Sequence, residues 1–156
     1  MTYIRTAEHW LYLAVAMDLY SKKVVGWSMS ACQDRQLVLQ AVWMAIWQRK
    51  GQSPVILHSD RGTQFTSAEF TGVLKQHGIR ISMDSKGRWV DNGFVERLWR
   101  SVKYEEVYLK AYDSIGHARA SLSRYFAFYN TKRRHQSLDR RTPDSVYYQD
   151  AARMAA

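Results

Sequence analysis

Two segments, HSDRGTQFTS (residues 58–67) and GFVERLWRSVKY (residues 93–104), decide how this chain reads. Asp60 follows Val55–Ile56–Leu57, a short apolar run that reads as a buried strand of the kind found in parallel pairing. A side chain just beyond such a strand is held rigidly at the carboxyl edge of a sheet, where α/β proteins place their chemistry. Glu96 sits in a helical pattern, flanked by Phe94, Val95 and Leu98, and thirty-five residues separate it from Asp60. The two carboxylates meet at one metal site if the fold brings them together. From Glu96, Arg100 is i+4 and Lys103 is i+7, so the three share a helix face. A carboxylate followed by two cations on one face is what a metal site beside a phosphate backbone needs.

Each feature also has a plainer reading. Asp60 can close an Asx-turn with Arg61–Gly62, and Glu96 with Arg100 is an ordinary helix pair worth about 0.3 kcal/mol. Thr63, Gln64, Thr66 and Ser67 supply polar groups that either touch phosphates or cap a helix. Further on, Lys132, Arg133, Arg134, His135, Arg140 and Arg141 crowd the end of a helix that finishes near Asn130. Cations there satisfy the helix dipole. Six basic residues within ten positions exceed what capping requires, and phosphate contact accounts for the excess. Trp89 reads either as a stacking platform for an unpaired base or as core.

The totals fit this picture. The chain has 156 residues and a net charge of +9, which favours a polyanionic partner. It is 46% hydrophobic with six Trp and two Pro, so a folded core rather than disorder is expected in a single domain. Cys32 is the sole cysteine, which excludes an internal disulfide and fits a reducing compartment. The longest apolar run, Trp10–Met17, is far short of a membrane span. MTYIRTAEHW lacks the layout of a signal peptide, and the reading is cytoplasmic.

Element patterns point to an α/β fold. Thr2–Ile4, Trp10–Met17 and Lys22–Met29 read as an antiparallel meander. A helix capped by Asp34 follows, with Leu37, Val38, Ala41, Val42, Ala45 and Ile46 at helical spacing until Gly51. Then come a strand at 54–58, a Ser67-capped helix, a strand at 79–83, a polar loop at 84–87, and helices at about 92–108 and 114–130. The basic tail, about 131–156, is mildly helical.

HSDRGTQFTS, GRWVDNGFVERLWRSVKYEEVY and RYFAFYNTKRRHQSLDRRTPDSVY together resemble the catalytic part of insertion-sequence transposases. The similarity covers essentially the whole chain and is nearest to the second-frame (OrfB-type) transposases of the insertion-sequence-three family. These belong to the retroviral-integrase-like superfamily with an Asp, Asp, thirty-five residues, Glu signature. The resemblance implies a ribonuclease-H-like fold with a mixed five-stranded sheet flanked by helices. It also implies cleavage and joining of DNA strands by phosphoryl transfer with two Mg²⁺ or Mn²⁺ ions, in a homo-oligomer assembled on DNA. Asp60 maps onto the second Asp, Glu96 onto the Glu, and Lys103 onto a basic residue that contacts the element's terminal DNA. The first Asp of the pattern falls just ahead of Met1. The resemblance therefore implies a shortened first strand, an incomplete metal site and weak or absent activity. Asp18 lies too far along the second strand to replace the missing ligand and reads as structural. A non-catalytic nucleic-acid-binding module and a ribonuclease-H-type hydrolase are the alternatives.

Overall fold

The computed structural model describes residues 1–49, 55–83 and 93–154, the last five as backbone. Trp89, the loop at 84–87, Gly51, Pro54 and Asn92 lie outside the described residues. The chain opens with an antiparallel meander of β1 (Thr2–Arg5), β2 (Trp10–Met17) and β3 (Val24–Ser30). Thr2 pairs with Leu13 and Val15 with Trp27. Because side chains alternate along a strand, one face collects Ile4, Leu11, Leu13 and Met29 while the other carries Ala14. Two tight turns join the strands. Thr6 closes the first, its Oγ1 donating to the His9 carbonyl at 2.7 Å and accepting the His9 N–H at 3.0 Å. Asp18 closes the second, its Oδ1 accepting from Ser21 N at 2.8 Å and Ser21 Oγ at 2.6 Å. Asp18 is thus a turn carboxylate, as expected. Lys22 in this turn has φ 62°, incompatible with a strand, so β3 starts at Val24 rather than at Lys22.

α1 (Arg35–Arg49) crosses the Ala14 face. Asp34 caps it, Oδ1 accepting the Leu37 N–H at 3.0 Å, and Leu37, Val38, Ala41 and Val42 are buried as their spacing requires. Gly26 permits a close approach: a Cβ there would lie 2.0 Å from the Ala41 carbonyl oxygen. β4 (Ile56–Ser59) then pairs in parallel with β5 (Arg80–Met83). Between them lie the one-turn α2 (Thr63–Thr66) and α3 (Ala68–Gln76), the latter capped by Ser67 Oγ accepting the Phe70 N–H at 3.3 Å.

The single five-stranded ladder is corrected. Among the described residues, backbone hydrogen bonds form a three-stranded antiparallel sheet and a separate two-stranded parallel one. The β4–β5 pair is tied in by side chains instead: Met1, Tyr12, Leu57 and Ile81 pack on one cluster with Leu37, Phe70 and Leu74.

The second half is helical: α4 (Gly93–Val102), α5 (Ile115–Thr131) and α6 (Pro143–Met154). Leu98 and Val102 of α4, with Leu122 and Phe126 of α5, cover the other sheet face. Ser114 caps α5, its Oγ accepting the His117 N–H at 3.1 Å. α6 is tied to the start of β3 by Lys23, 3.0 Å from Asp144 and 2.9 Å from the Tyr148 hydroxyl. The helix expected over about 92–108 changes character at Lys103. Residues Lys103–Val107 form a π-helical turn, with Tyr108 N–H donating to the Lys103 carbonyl at 2.8 Å. No described helix is long and apolar enough to cross a membrane.

Two glycines make a paired prediction. Gly26→Ala forces α1 off the sheet and is expected to lower unfolding stability by about 2 kcal/mol or more. Gly72→Ala meets nothing within 4 Å inside α3 and is expected to raise it by up to about 1 kcal/mol. Urea titration of both variants reads the contrast.

Candidate active site

Asp60 stands immediately after β4, and the parallel β4–β5 pairing carries it to the carboxyl edge of that sheet. It is exposed, and its Oδ1 accepts the Gly62 N–H at 2.9 Å. The Asx-turn is therefore real. It does not remove Asp60 from chemistry, because a carboxylate keeps further acceptor sites after one such bond. Met1, at the head of β1, is close enough to feel Asp60: burial holds the Met1 amino group below its usual pKa, and the Asp60 charge opposes that shift.

α4 positions the other carboxylate. Successive residues on a helix turn by about 100°, so burying Leu98 and Val102 sends Glu96 and Arg100 to solvent, where both are exposed. Lys103 continues that face, its Nζ 4.9 Å from the centroid of the Tyr3 ring on β1. Met1 and Tyr3 project from the same side of β1. The first strand is thus the common neighbour of Asp60 and of the face that bears Glu96, Arg100 and Lys103. Among the described residues, no three metal-ligating side chains cluster together.

The basic cluster divides. Lys132 and Arg134 are exposed. Arg133 is not free to meet a phosphate: its Nε donates to Glu105 Oε2 at 2.9 Å and Oε1 at 3.2 Å, and Nη2 reaches Ser101 Oγ at 3.4 Å. The Tyr125 hydroxyl donates to the same Glu105 carboxylate at 2.8 Å. These bonds, Arg133 first, hold Glu105 below the usual carboxylate range and push Arg133 up. His135 packs edge-on against Tyr129, with ring centroids 4.9 Å apart, and its Nε2 faces Arg133 Nη1 at 3.4 Å. Burial first, then the Arg133 charge, lowers its pKa to about 4. His135 is therefore a neutral acceptor at pH 7.

The sequence reading passed over Glu105 and Glu106. They sit side by side in the π-helical turn and serve two polar clusters: Glu105 faces Arg133, and Glu106 is buried against Lys110 Nζ at 2.8 Å, Tyr112 OH at 3.2 Å and Ser121 Oγ. Such wide turns are rare and cluster at functional sites. Phe94, Arg97 and Ser101, on another flank of α4, were also unforeseen. They line a groove with Lys22, Arg133 and His135.

Comparison with known proteins places this geometry. The integrase core domain profile matches residues 1–88, and a second profile of the same description matches residues 77–143. The chain belongs to the integrase core domain family. It is 42% identical over 153 residues to the Escherichia coli (strain K12) transposase InsF for insertion sequence IS3fB, covering 97% of this chain and 53% of that protein. The chain thus spans about half the length of that transposase. The catalytic core domain of BIV integrase superposes with a TM-score of 0.71 at 21% identity, covering 100% of this chain and 96% of that one. The HTLV-2 integrase catalytic core domain in complex with magnesium gives 0.63 at 17% identity, covering 91% and 88%. The fold is accordingly ribonuclease-H-like, and the sequence kinship is to insertion-sequence-three transposases.

The lowered His135 pKa has a measurable sign. The unfolded chain protonates this histidine near 6.5 and the folded chain near 4, so between those values the unfolded state binds more protons. The folded state has its full stability above about pH 6.5 and loses part of it as pH falls toward 4. His135→Gln removes that loss. Urea midpoints at pH 7.5 and 5 are expected to converge more in the variant than in the parent.

Proposed function

We propose that residues 1–156 form the catalytic core domain of an insertion-sequence transposase, with the basic stretch from about 131 at its C-terminal end. The reaction is metal-dependent phosphoryl transfer that cleaves a DNA strand at an element end and joins it to a target strand. The observation that carries this reading is the placement of Asp60 and Glu96. One stands at the carboxyl edge of β4 and the other on the exposed face of α4, in a chain of integrase-core fold.

The side chains present suit a hard divalent cation. Both carboxylates are solvent-facing, and oxygen donors are what Mg²⁺ and Mn²⁺ prefer. Asp60 and Glu96 would supply two of the carboxylates that hold such ions, which when bound supply positive charge to the attacking and leaving oxygens of an in-line displacement. The chain's own contribution is positioning. Arg100 and Lys103 extend the Glu96 face as phosphate contacts along the strand being cut, and Lys132 and Arg134 add exposed charge beyond α5. Arg133 and His135 shape that surface from within, one paired to Glu105 and the other uncharged. The working form is a homo-oligomer on DNA in the bacterial cytoplasm. The net charge of +9 supports the DNA partner, the dimeric and trimeric HTLV-2 integrase cores support the oligomer, and the likeness to an Escherichia coli transposase supports the bacterial setting.

The test is cleavage of a duplex bearing an element end, with Mn²⁺ present or absent. Asp60→Asn and Glu96→Gln are each expected to lower the rate about a hundredfold or more, equivalent to about 2.7 kcal/mol of transition-state stabilisation, while DNA affinity holds or rises. Cleavage that survives both substitutions overturns the assignment. DNA binding without cleavage by the parent chain identifies a non-catalytic binding module instead.

A further inference from the structure

The groove on the Phe94–Arg97 flank of α4 has a volume of about 220 Å³ and lies between the β2–β3 turn, α4 and the segment following α5. It runs on into an open hollow along Arg133–Ser137. Two cations share one ring at its wall: Lys22 Nζ is 3.6 Å from the Phe94 centroid, and Arg97 Cζ is 5.8 Å from it. Lys22 reaches this position because its left-handed φ of 62° turns the side chain out of the strand direction, and its Nζ also donates to the Leu19 carbonyl.

Charge in the groove is unbalanced. Arg133 is neutralised by Glu105. Asp18, in the same turn, attracts Lys22 more than Arg97 repels it, but its carboxylate is already engaged by two bonds from Ser21. Arg97 has no carboxylate partner among the described residues. Like charges brought together on an aromatic face repel. Burial, and then Arg97, lower the Lys22 pKa against the opposing pull of Asp18. An anion entering between them relieves that repulsion, and Ser101 offers a hydroxyl at the same wall.

We propose that this groove is a second phosphate site, in which Lys22 and Arg97 grip a DNA backbone on the flank of α4 that adjoins the Glu96 face. It rests on the transposase-core reading and adds to it. α4 then meets two DNA segments, one on the Glu96–Arg100–Lys103 face and one in the groove. The open continuation past Arg134 suits a running strand better than a small free anion, which would favour an enclosed pocket.

The experiment measures duplex DNA binding by fluorescence anisotropy between about 50 and 200 mM salt. Parent, Lys22→Gln/Arg97→Gln and the charge-preserving Lys22→Arg/Arg97→Lys are compared. Neutralising two phosphate contacts is expected to reduce the slope of log K against log salt by about 1.8. The charge-preserving pair is expected to restore it, which a merely structural role would not. An unchanged slope in Lys22→Gln/Arg97→Gln overturns the proposal while leaving the transposase reading intact. Failure of the parent to bind DNA sinks the transposase reading itself, and this proposal with it. Inorganic phosphate is titrated as a competitor: displacement of the duplex at low millimolar phosphate assigns the groove to a free anion and overturns the DNA assignment.

Discussion

The ion pair between Glu105 and Arg133 is the constraint on which the helical half depends. It joins the turn after α4 to the residue just beyond α5, and Tyr125 and Ser101 close around it. α4 has only two fully buried residues, Leu98 and Val102, and so has little apolar grip of its own. Its rotation about its own axis is fixed by what holds its C-terminal end. A half-buried fork of this kind is strong because it is charge-assisted and bidentate. Losing one partner leaves the other half-buried charge without its counter-charge, Glu105 keeping only Tyr125, and Arg133 keeping Ser101 and His135. Burial of Leu98 and Val102 turns Glu96 to solvent, and the anchor holds the end of the helix that carries it.

The arrangement separates two kinds of basic residue. Arg133 and His135 belong to the packing of the C-terminal segment, the first by pairing and the second by staying neutral beside Tyr129, whose hydroxyl burial pushes up to about 12. Arg100, Lys132 and Arg134 are solvent-facing. A net charge of +9 therefore overstates what is presented to a partner in one place and understates it in another, since Lys22 and Arg97 add a positive wall on a different flank.

Much of the fold was legible because local chemistry decided it. Asp34 and Ser67 cap helices where their positions said they would, and β2 occupies its whole apolar run. The parallel pairing of β4 and β5 was foreseen, but not the burial: Ile56 of β4 is exposed, and only Ser59 is buried in that strand. The Asp60–Glu96 spacing carried the kinship. What stayed hidden was set by distant partners. Nothing around residue 133 announces a carboxylate twenty-eight residues earlier, and nothing in KYEEV announces a helix wound wider than α. The split of the sheet was equally invisible, because whether β1 and β4 share hydrogen bonds depends on backbone approach rather than on apolar pattern.

The π-helical turn also constrains how this chain can vary in length. A helix with one extra residue in a turn looks like an insertion that was kept, and deleting one residue between Lys103 and Val107 would let the backbone wind as regular α-helix. Such a deletion also rotates every residue after it by about 100° relative to α4. Either Arg133 and Tyr125 would lose their acceptor, or Lys110, Tyr112 and Ser121 would lose theirs. The residue count between the carboxylate of α4 and the start of α5 is thus tied to two separate polar pockets at once. This turn is a fixed spacer.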